Sequence, residues 1–303
     1  VTDLVGPIRT ACREIQPLSR SVTQLLALMG GGGQRSASQL AKVVATDPAL
    51  TLALLRTANS AAFGLRQPVT SAAAAIAYLG DRLVLAVALN SAAGRVFERP
   101  LEGYAAEPGA LWRHCLRTAI GARELAPHCV HPLDADTAFT AGILHDIGKS
   151  VLSRFLHPEL REALEGAPVP SLGPEAANRP EVANYLALEA QAVGMDHSEV
   201  GDLLAEHWKL PPALRAAIRY HHGPLGAPPG ERPLCWAVHL ADALALMGGT
   251  ITGSDGLAYL LAPEWKDEVR LGGHELERIM LKVEDDFEKA AAALAASAQE
   301  TKP

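Results

Sequence analysis

Ala138–Ser150 reads AFTAGILHDIGKS. His145 and Asp146 interrupt an otherwise apolar run, with Ala138, Phe139, Ala141, Ile143 and Leu144 before them and Ile147, Val151 and Leu152 after. A proline-free apolar segment of this length reads as a buried helix beginning near Asp134. Burying an ionisable pair there is costly unless a metal or hydrogen-bonding groups compensate. The chain offers such partners in apolar, helical-looking surroundings: His114, His197, His207, His221, His222 and Asp242.

The composition agrees with helix. Of 303 residues, 49% are hydrophobic but only 5% aromatic, and alanine and leucine dominate, so the expectation is an all-α protein. The net charge of −7 and the lack of any Lys/Arg cluster give no electrostatic case for nucleic acid or an anionic membrane. Cys12, Cys115, Cys129 and Cys235 stand far apart without a C-x-x-C pair. They read as reduced, buried thiols of a cytoplasmic protein. Neither a signal peptide nor a run of about 20 apolar residues able to span a bilayer is expected.

Around the central stretch, three regions are expected. Residues 1–100 read as an N-terminal helical domain. Apolar positions at Leu4, Ile8, Cys12 and Ile15, then at Val22, Leu25, Leu26 and Met29, mark two helices parted by Pro17. Gly30–Gly33 reads as a flexible connector, and Ser36–Ala45 as a short helix. Asp47-Pro48 reads as a helix start, with Asn59-Ser60 ending that helix. Ser71 caps the next, Gly80 stops it, and Asp81 begins another. Arg99–Gly109 is the candidate linker. Residues 101–270 then form a second helical domain. It has helices over Ala110–Leu125, from Asp134, over Glu181–Val193, from Asp196 to Trp208, from Pro211-Pro212 through His222, and over Leu234–Met247. The Pro/Gly-rich stretches Gly166–Pro180 and Gly223–Pro233 interrupt them. Residues 271–303 hold a terminal amphipathic helix whose face (Leu276, Ile279, Met280, Val283, Phe287) suits packing on its own domain better than self-association.

Imidazoles flanking a carboxylate suit a divalent transition metal, and an aspartate can bridge two ions through its two oxygens. Each residue also has a plainer reading. His145-Asp146 could be a hydrogen-bonded structural pair, His221-His222 a helix C-cap, His197 a surface residue, and Asp242 the partner of an N–H or an arginine. His207 reads as packing or surface, Trp112, Trp208 and Trp236 as core anchors, and His128, His131, His157 and His274 as loop or surface residues. The ordered set His114, His145-Asp146, His197, His221-His222, Asp242 is more specific than any member.

That order resembles the HD superfamily of metal-dependent phosphohydrolases, with His114, His145-Asp146 and Asp242 in its shared positions. The resemblance is closer to the HDOD family, a regulatory branch of that superfamily. It rests on ATDPALTLALLRTANSAAFG (45–64), SAAAAIAYLG (71–80), LWRHC (111–115), AFTAGILHDIGK (138–149), GMDHSEVGDLLAEHWKLP (194–211) and AIRYHHGP (217–224). The resemblance implies an all-α signalling module that acts through protein partners in trans or through a bound ligand, a nucleotide or cyclic dinucleotide among them, with a homodimer as a further expectation. It also implies one or two divalent ions (Mn, Fe, Zn or Mg) held by His114, His145, Asp146, His197, His221, His222 and Asp242. The second reading it allows is a phosphohydrolase in which Asp146 bridges the metals and Lys149 faces a phosphate, as in the similar HD-GYP phosphodiesterases. The GYP motif is missing after His222, where the chain reads GPLGAPPGERP.

Overall fold

The computed structural model describes residues 4–29, 36–63, 65, 67–97, 99–156, 185–253 and 261–299. The Gly30–Gly33 connector, the Gly166–Pro180 stretch and His157 lie outside them. The fold is all-α: among the described residues the only β-type pairings are two isolated bridges, Leu101 with Ala106 and Cys129 with Val269.

Five helices build the first part: α1 (Val5–Glu14), α2 (Arg20–Met29), α3 (Ala37–Ala45), α4 (Pro48–Ala58) and α5 (Ala72–Phe97). Their starts follow local chemistry. The Asp47 carboxylate accepts the Leu50 N–H, with Pro48 as the first helical residue. The Ser71 hydroxyl accepts the Ala74 N–H. Gly80, at φ 72° and ψ 160°, breaks α5 where a stop was expected. That left-handed conformation is costly for any residue with a Cβ. Ala72–Ala92 is nevertheless long and apolar enough, by length and composition, to cross a membrane. This corrects the expectation that no such run exists. Here Gly80 interrupts the stretch, and Val84–Leu89 are buried in the core.

The second part contains α6 (Ala110–Leu125), α7 (Ala135–Leu144), α8 (Lys149–Leu152), α9 (Tyr185–Val193), α10 (His197–His207), α11 (Pro212–Tyr220), α12 (Arg232–Met247) and the short α13 (Trp265–Glu268). The long α14 (Gly273–Gln299) follows. Nearly every residue of α6 is buried, as expected of a helix covered on all sides. α7 crosses it so closely that a Cβ on Gly142 would lie 2.7 Å from Ala119 Cα. α12 packs on α6 from another side.

Two expectations change. The helix from Asp134 does begin there, with the Asp134 carboxylate accepting the Thr137 N–H. It ends at Leu144, however, and His145–Gly148 form a turn of i→i+3 bonds before α8. The 99–109 segment is no solvated linker, since Leu101, Gly103, Tyr104 and Ala106 are buried and the Gly103 N–H donates to Ser153 Oγ. One core runs from Ile8 to Leu294. α1 docks on α10, where Trp208 Nε1 donates to the Gln16 carbonyl and His207 Nε2 lies 3.1 Å from the Ile15 carbonyl. Ile279, Val283 and Phe287 of α14 are buried against the body, with Arg123 pairing Asp286 and Arg117 lying over the Phe287 ring.

Candidate metal centre

The turn after α7 places His145 and Asp146 at the meeting point of α6, α10, α11 and α12. His114 comes from α6, His197 from the first turn of α10, His221 and His222 from the end of α11, and Asp242 from α12. The structure brings all seven expected ligands and Lys149 together. His114, His145, His197 and His221 are fully buried, Asp146, Lys149 and Asp242 almost so, and only His222 is partly exposed. The surface reading of His197 therefore fails, while His221 does cap α11, its Nδ1 lying against the Ile218 carbonyl. Trp112, Trp208 and Trp236 are core anchors as expected.

Asp146 divides the cluster in two. Its Oδ2 lies 3.5 Å from both His114 Nε2 and His145 Nε2, which are 3.3 Å apart. Asp242 Oδ1 joins this set at 3.0 Å from His114 Nε2 and 3.8 Å from His145 Nε2. On the other side, Asp146 Oδ1 lies 3.4 Å from His197 Nε2 and 3.5 Å from His221 Nε2, and His222 Nε2 is 3.1 Å from His197 Nε2. With metal–nitrogen bonds of about 2.1 Å, neighbouring ligand atoms sit roughly 3.0–3.4 Å apart. The separations just given for His114, His145 and Asp146, and for Asp146, His197, His221 and His222, run from 3.1 to 3.5 Å, and within each group all ligand atoms lie within 4.8 Å of one another. Asp146 Oδ1 and His221 Nε2 are also buried without a hydrogen bond of good geometry among the described residues, while Asp146 Oδ2 meets the Lys149 ammonium at 2.7 Å. The chemistry of the donors therefore fits a metal ion.

The outer nitrogens orient the rings. Nδ1 of His114, His145 and His221 lies 2.8, 2.7 and 2.8 Å from the carbonyls of Thr250, Gly142 and Ile218. A carbonyl only accepts, so each Nδ1 carries a proton and, in the neutral ring, each Nε2 turns a lone pair inward. His197 differs: its Nδ1 meets the buried Glu189 carboxylate at 2.8 Å, its own backbone N–H donates to the same group, and the Tyr104 hydroxyl donates to Glu189 at 2.6 Å. Lys149 Nζ is 2.7 Å from Asp146 Oδ2 and donates to Thr252 Oγ1. His239 lies behind His221, with Nδ1 donating to its carbonyl and Nε2 accepting the Ala262 N–H.

Sequence reasoning missed this outer layer: Glu189, Tyr104, His239, Thr250 and Thr252. The lone acid in the apolar run YLALEAQAV (185–193) was the available signal for Glu189, while Tyr104 was hidden in a stretch read as linker.

Burial pushes the Asp146 carboxyl up, but the Lys149 and His145 charges and the His221 contact outweigh it and hold the group well below the usual carboxylate range. Asp242 is likewise pushed up by burial and held well below by His114 and His145. Burial pushes His114 and His197 down, and Asp242 and Glu189 respectively reverse this, leaving both raised. Burial lowers His221 to about 4 and His222 well below its ordinary value, so both are neutral and ready to act as ligands.

The HDOD domain profile matches residues 15–224. An uncharacterized protein of Treponema pallidum (strain Nichols) is 27% identical over 205 residues, which is 68% of this chain but 37% of that protein. The chain thus matches little more than a third of that curated relative's length. Among solved structures, an HDOD domain protein of unknown function from Geobacter sulfurreducens superposes with TM-score 0.62 at 20% identity, covering 95% of this chain and 98% of that one. A Marinobacter aquaeolei VT8 protein, provisionally named a signal transduction protein, superposes with TM-score 0.73 at 21% identity, covering 98% of this chain and 62% of that one. At these identities the structures establish a shared fold.

Proposed function

The chain belongs to the HDOD family, and from that premise we propose that it is a regulatory module. It acts by binding a protein partner or small ligand, with a divalent-metal pair held inside it. One observation carries the reading: apart from His222 the cluster is buried, and the one ammonium among its described residues is already engaged. Lys149 is 2% exposed and sits against Asp146 and Thr252. It balances the charge of the Asp146 carboxylate and does not face an open substrate site.

His114, His145, Asp146 and Asp242 would hold one ion, and His197, His221, His222 and Asp146 the other. Such a pair would supply Lewis acidity and an activated water if substrate could reach it. The imidazole-rich donor set favours Mn, Fe or Zn over Mg. The chain's own residues orient and shield. Four backbone or carboxylate anchors fix the rings, and the helices exclude water from all but the His222 side.

The donor set also supports a second reading, a metal-dependent phosphohydrolase acting on a nucleotide or cyclic dinucleotide. Metal content of protein purified without chelator, wild type beside Asp146→Ala, tests both. Near-stoichiometric Mn, Fe or Zn, lost in a folded variant and accompanied by no turnover of phosphoesters, is expected. Robust metal-dependent hydrolysis would overturn the regulatory reading in favour of the second.

A further inference from the structure

A groove of about 840 Å³ lies outside the His/Asp cluster, between α1, the C-terminal half of α5 and α8. Its size is that of small-molecule sites, which favour junctions between structural units. Arg99 and Arg154 line it, both exposed and neither paired with an acid among the described residues. Glu14 is the one carboxylate in the same wall. In a chain of net charge −7, two unpaired guanidinium groups in one groove form a local anion trap, and planar guanidinium suits phosphate. Asn90 also lines the groove, and its Oδ1, shielded from solvent behind that wall, has no hydrogen-bond partner among the described residues. Ile15, Val96 and Val151 give the groove an apolar wall.

We propose that this groove binds a nucleotide. Its phosphate would lie on Arg99 and Arg154 and its flat base on the apolar wall. The groove also has a route to the metal centre. Ser150 and Val151 line it and directly follow Lys149, whose ammonium lies 2.7 Å from Asp146. An occupant that shifts α8 moves the charge that balances the bridging carboxylate. The role as an input rests on the regulatory reading above; the binding itself does not.

Isothermal titration calorimetry on the full chain tests it, with AMP, GMP, CMP, UMP and inorganic pyrophosphate as probes. The proteins are wild type, Arg99→Gln/Arg154→Gln and Asp146→Asn. At least one mononucleotide should bind saturably and more tightly than pyrophosphate. Affinity should fall about tenfold or more in the double variant, and weaken as salt rises. Both arginines are exposed, so the double variant should keep the wild-type circular dichroism spectrum and metal content. Asp146→Asn should still bind saturably, its affinity shifted only by the coupling through α8. Absence of binding, equal binding by the double variant, or loss of binding in Asp146→Asn overturns the groove assignment. Pyrophosphate matching the best mononucleotide overturns the nucleotide assignment. Each result stands apart from the metal measurement on Asp146→Ala, so either proposal can fail alone.

Discussion

Gly148→Ala tests whether the turn after His145 is built by contact with α10. The glycine has ordinary helical dihedrals, φ −64° and ψ −28°, so alanine meets no backbone strain there. Its demand is for space. A Cβ at this position would lie 1.9 Å from the His197 carbonyl oxygen, 2.5 Å from Gly201 N and 2.9 Å from Gly201 Cα. A comfortable carbon–oxygen contact is roughly 3.3 Å. The backbones must therefore part by more than an ångström, and no flexible side chain can yield instead. Overpacking of this kind costs about 3 kcal/mol. For a chain of this length that is a fall in Tm of about 6 °C.

The same displacement acts on chemistry. The carbonyl struck belongs to His197, whose Nε2 is 3.4 Å from Asp146 Oδ1. Moving α10 away by about an ångström carries that nitrogen beyond the span of one ion. The ion on the His197 side should be lost first, while the His114–His145 side is retained. Gly6→Ala is the control. It lies within α1 with nothing within 4 Å of its added Cβ, and should be neutral or stabilising by up to about 1 kcal/mol. The readouts are a thermal melt and metal content by elemental analysis. A Gly148→Ala protein that melts with wild type and keeps its full metal complement would refute the reasoning.

Glu189→Gln keeps the shape but removes the charge behind His197. It should weaken binding of the ion on that side roughly 10–100-fold, and an unchanged competition titration against a chelator would count against Glu189 as the orienting group. Metal uptake should release protons and weaken on acidification, because Asp242 and Glu189 raise His114 and His197 and a metal must displace the protons those rings take up; an affinity that stays flat from about pH 8 to 6 would contradict this. The Ser21 hydroxyl, then the Leu50 N–H, hold the Asp47 carboxyl below its ordinary value, so its stabilisation is complete above the unfolded pKa and is lost as pH falls through the lower folded one. Asp47→Ala should accordingly cost about 1 kcal/mol in urea melts near neutrality and less near pH 3; an equal cost at both would show that the charge plays no part.

How much of this could be read beforehand depends on where each cause lies. Asp47-Pro48, Ser71, Gly80 and Asp196 act on their own neighbourhoods, through a carboxylate or hydroxyl on a nearby N–H or a dihedral that glycine alone adopts cheaply, and each element begins or breaks where those residues placed it. The turn at His145–Gly148 escaped the same reading because Ile143, Leu144 and Ile147 are as apolar in a turn as in a helix. The contact that crowds the end of this turn is α10 lying against Gly148, some fifty positions away. The clustered histidines and aspartates were legible for the opposite reason. An imidazole or carboxylate inside an apolar run is expensive alone, so His114, Asp146 and Asp242 announced a partner even before its identity was known.

The outer layer carried no comparable signal, and that difference has a physical basis. Three of the four anchored rings are held by backbone carbonyls, at Thr250, Gly142 and Ile218, and any residue type supplies a carbonyl. Glu189 is the exception, because the fourth ring is anchored by a side chain. Its surroundings show why it matters more than the carbonyls. It is fully buried, receives the Tyr104 hydroxyl and two groups of His197, and has no arginine or lysine among these contacts. A buried carboxylate with only such partners is worth its desolvation when a cation lies beyond the ring it holds. The asymmetry thus makes the His197 side of Asp146 the more sensitive to the order of α9 and α10. It is there, beside the partly exposed His222, that a change in this protein's packing would first alter the metal centre.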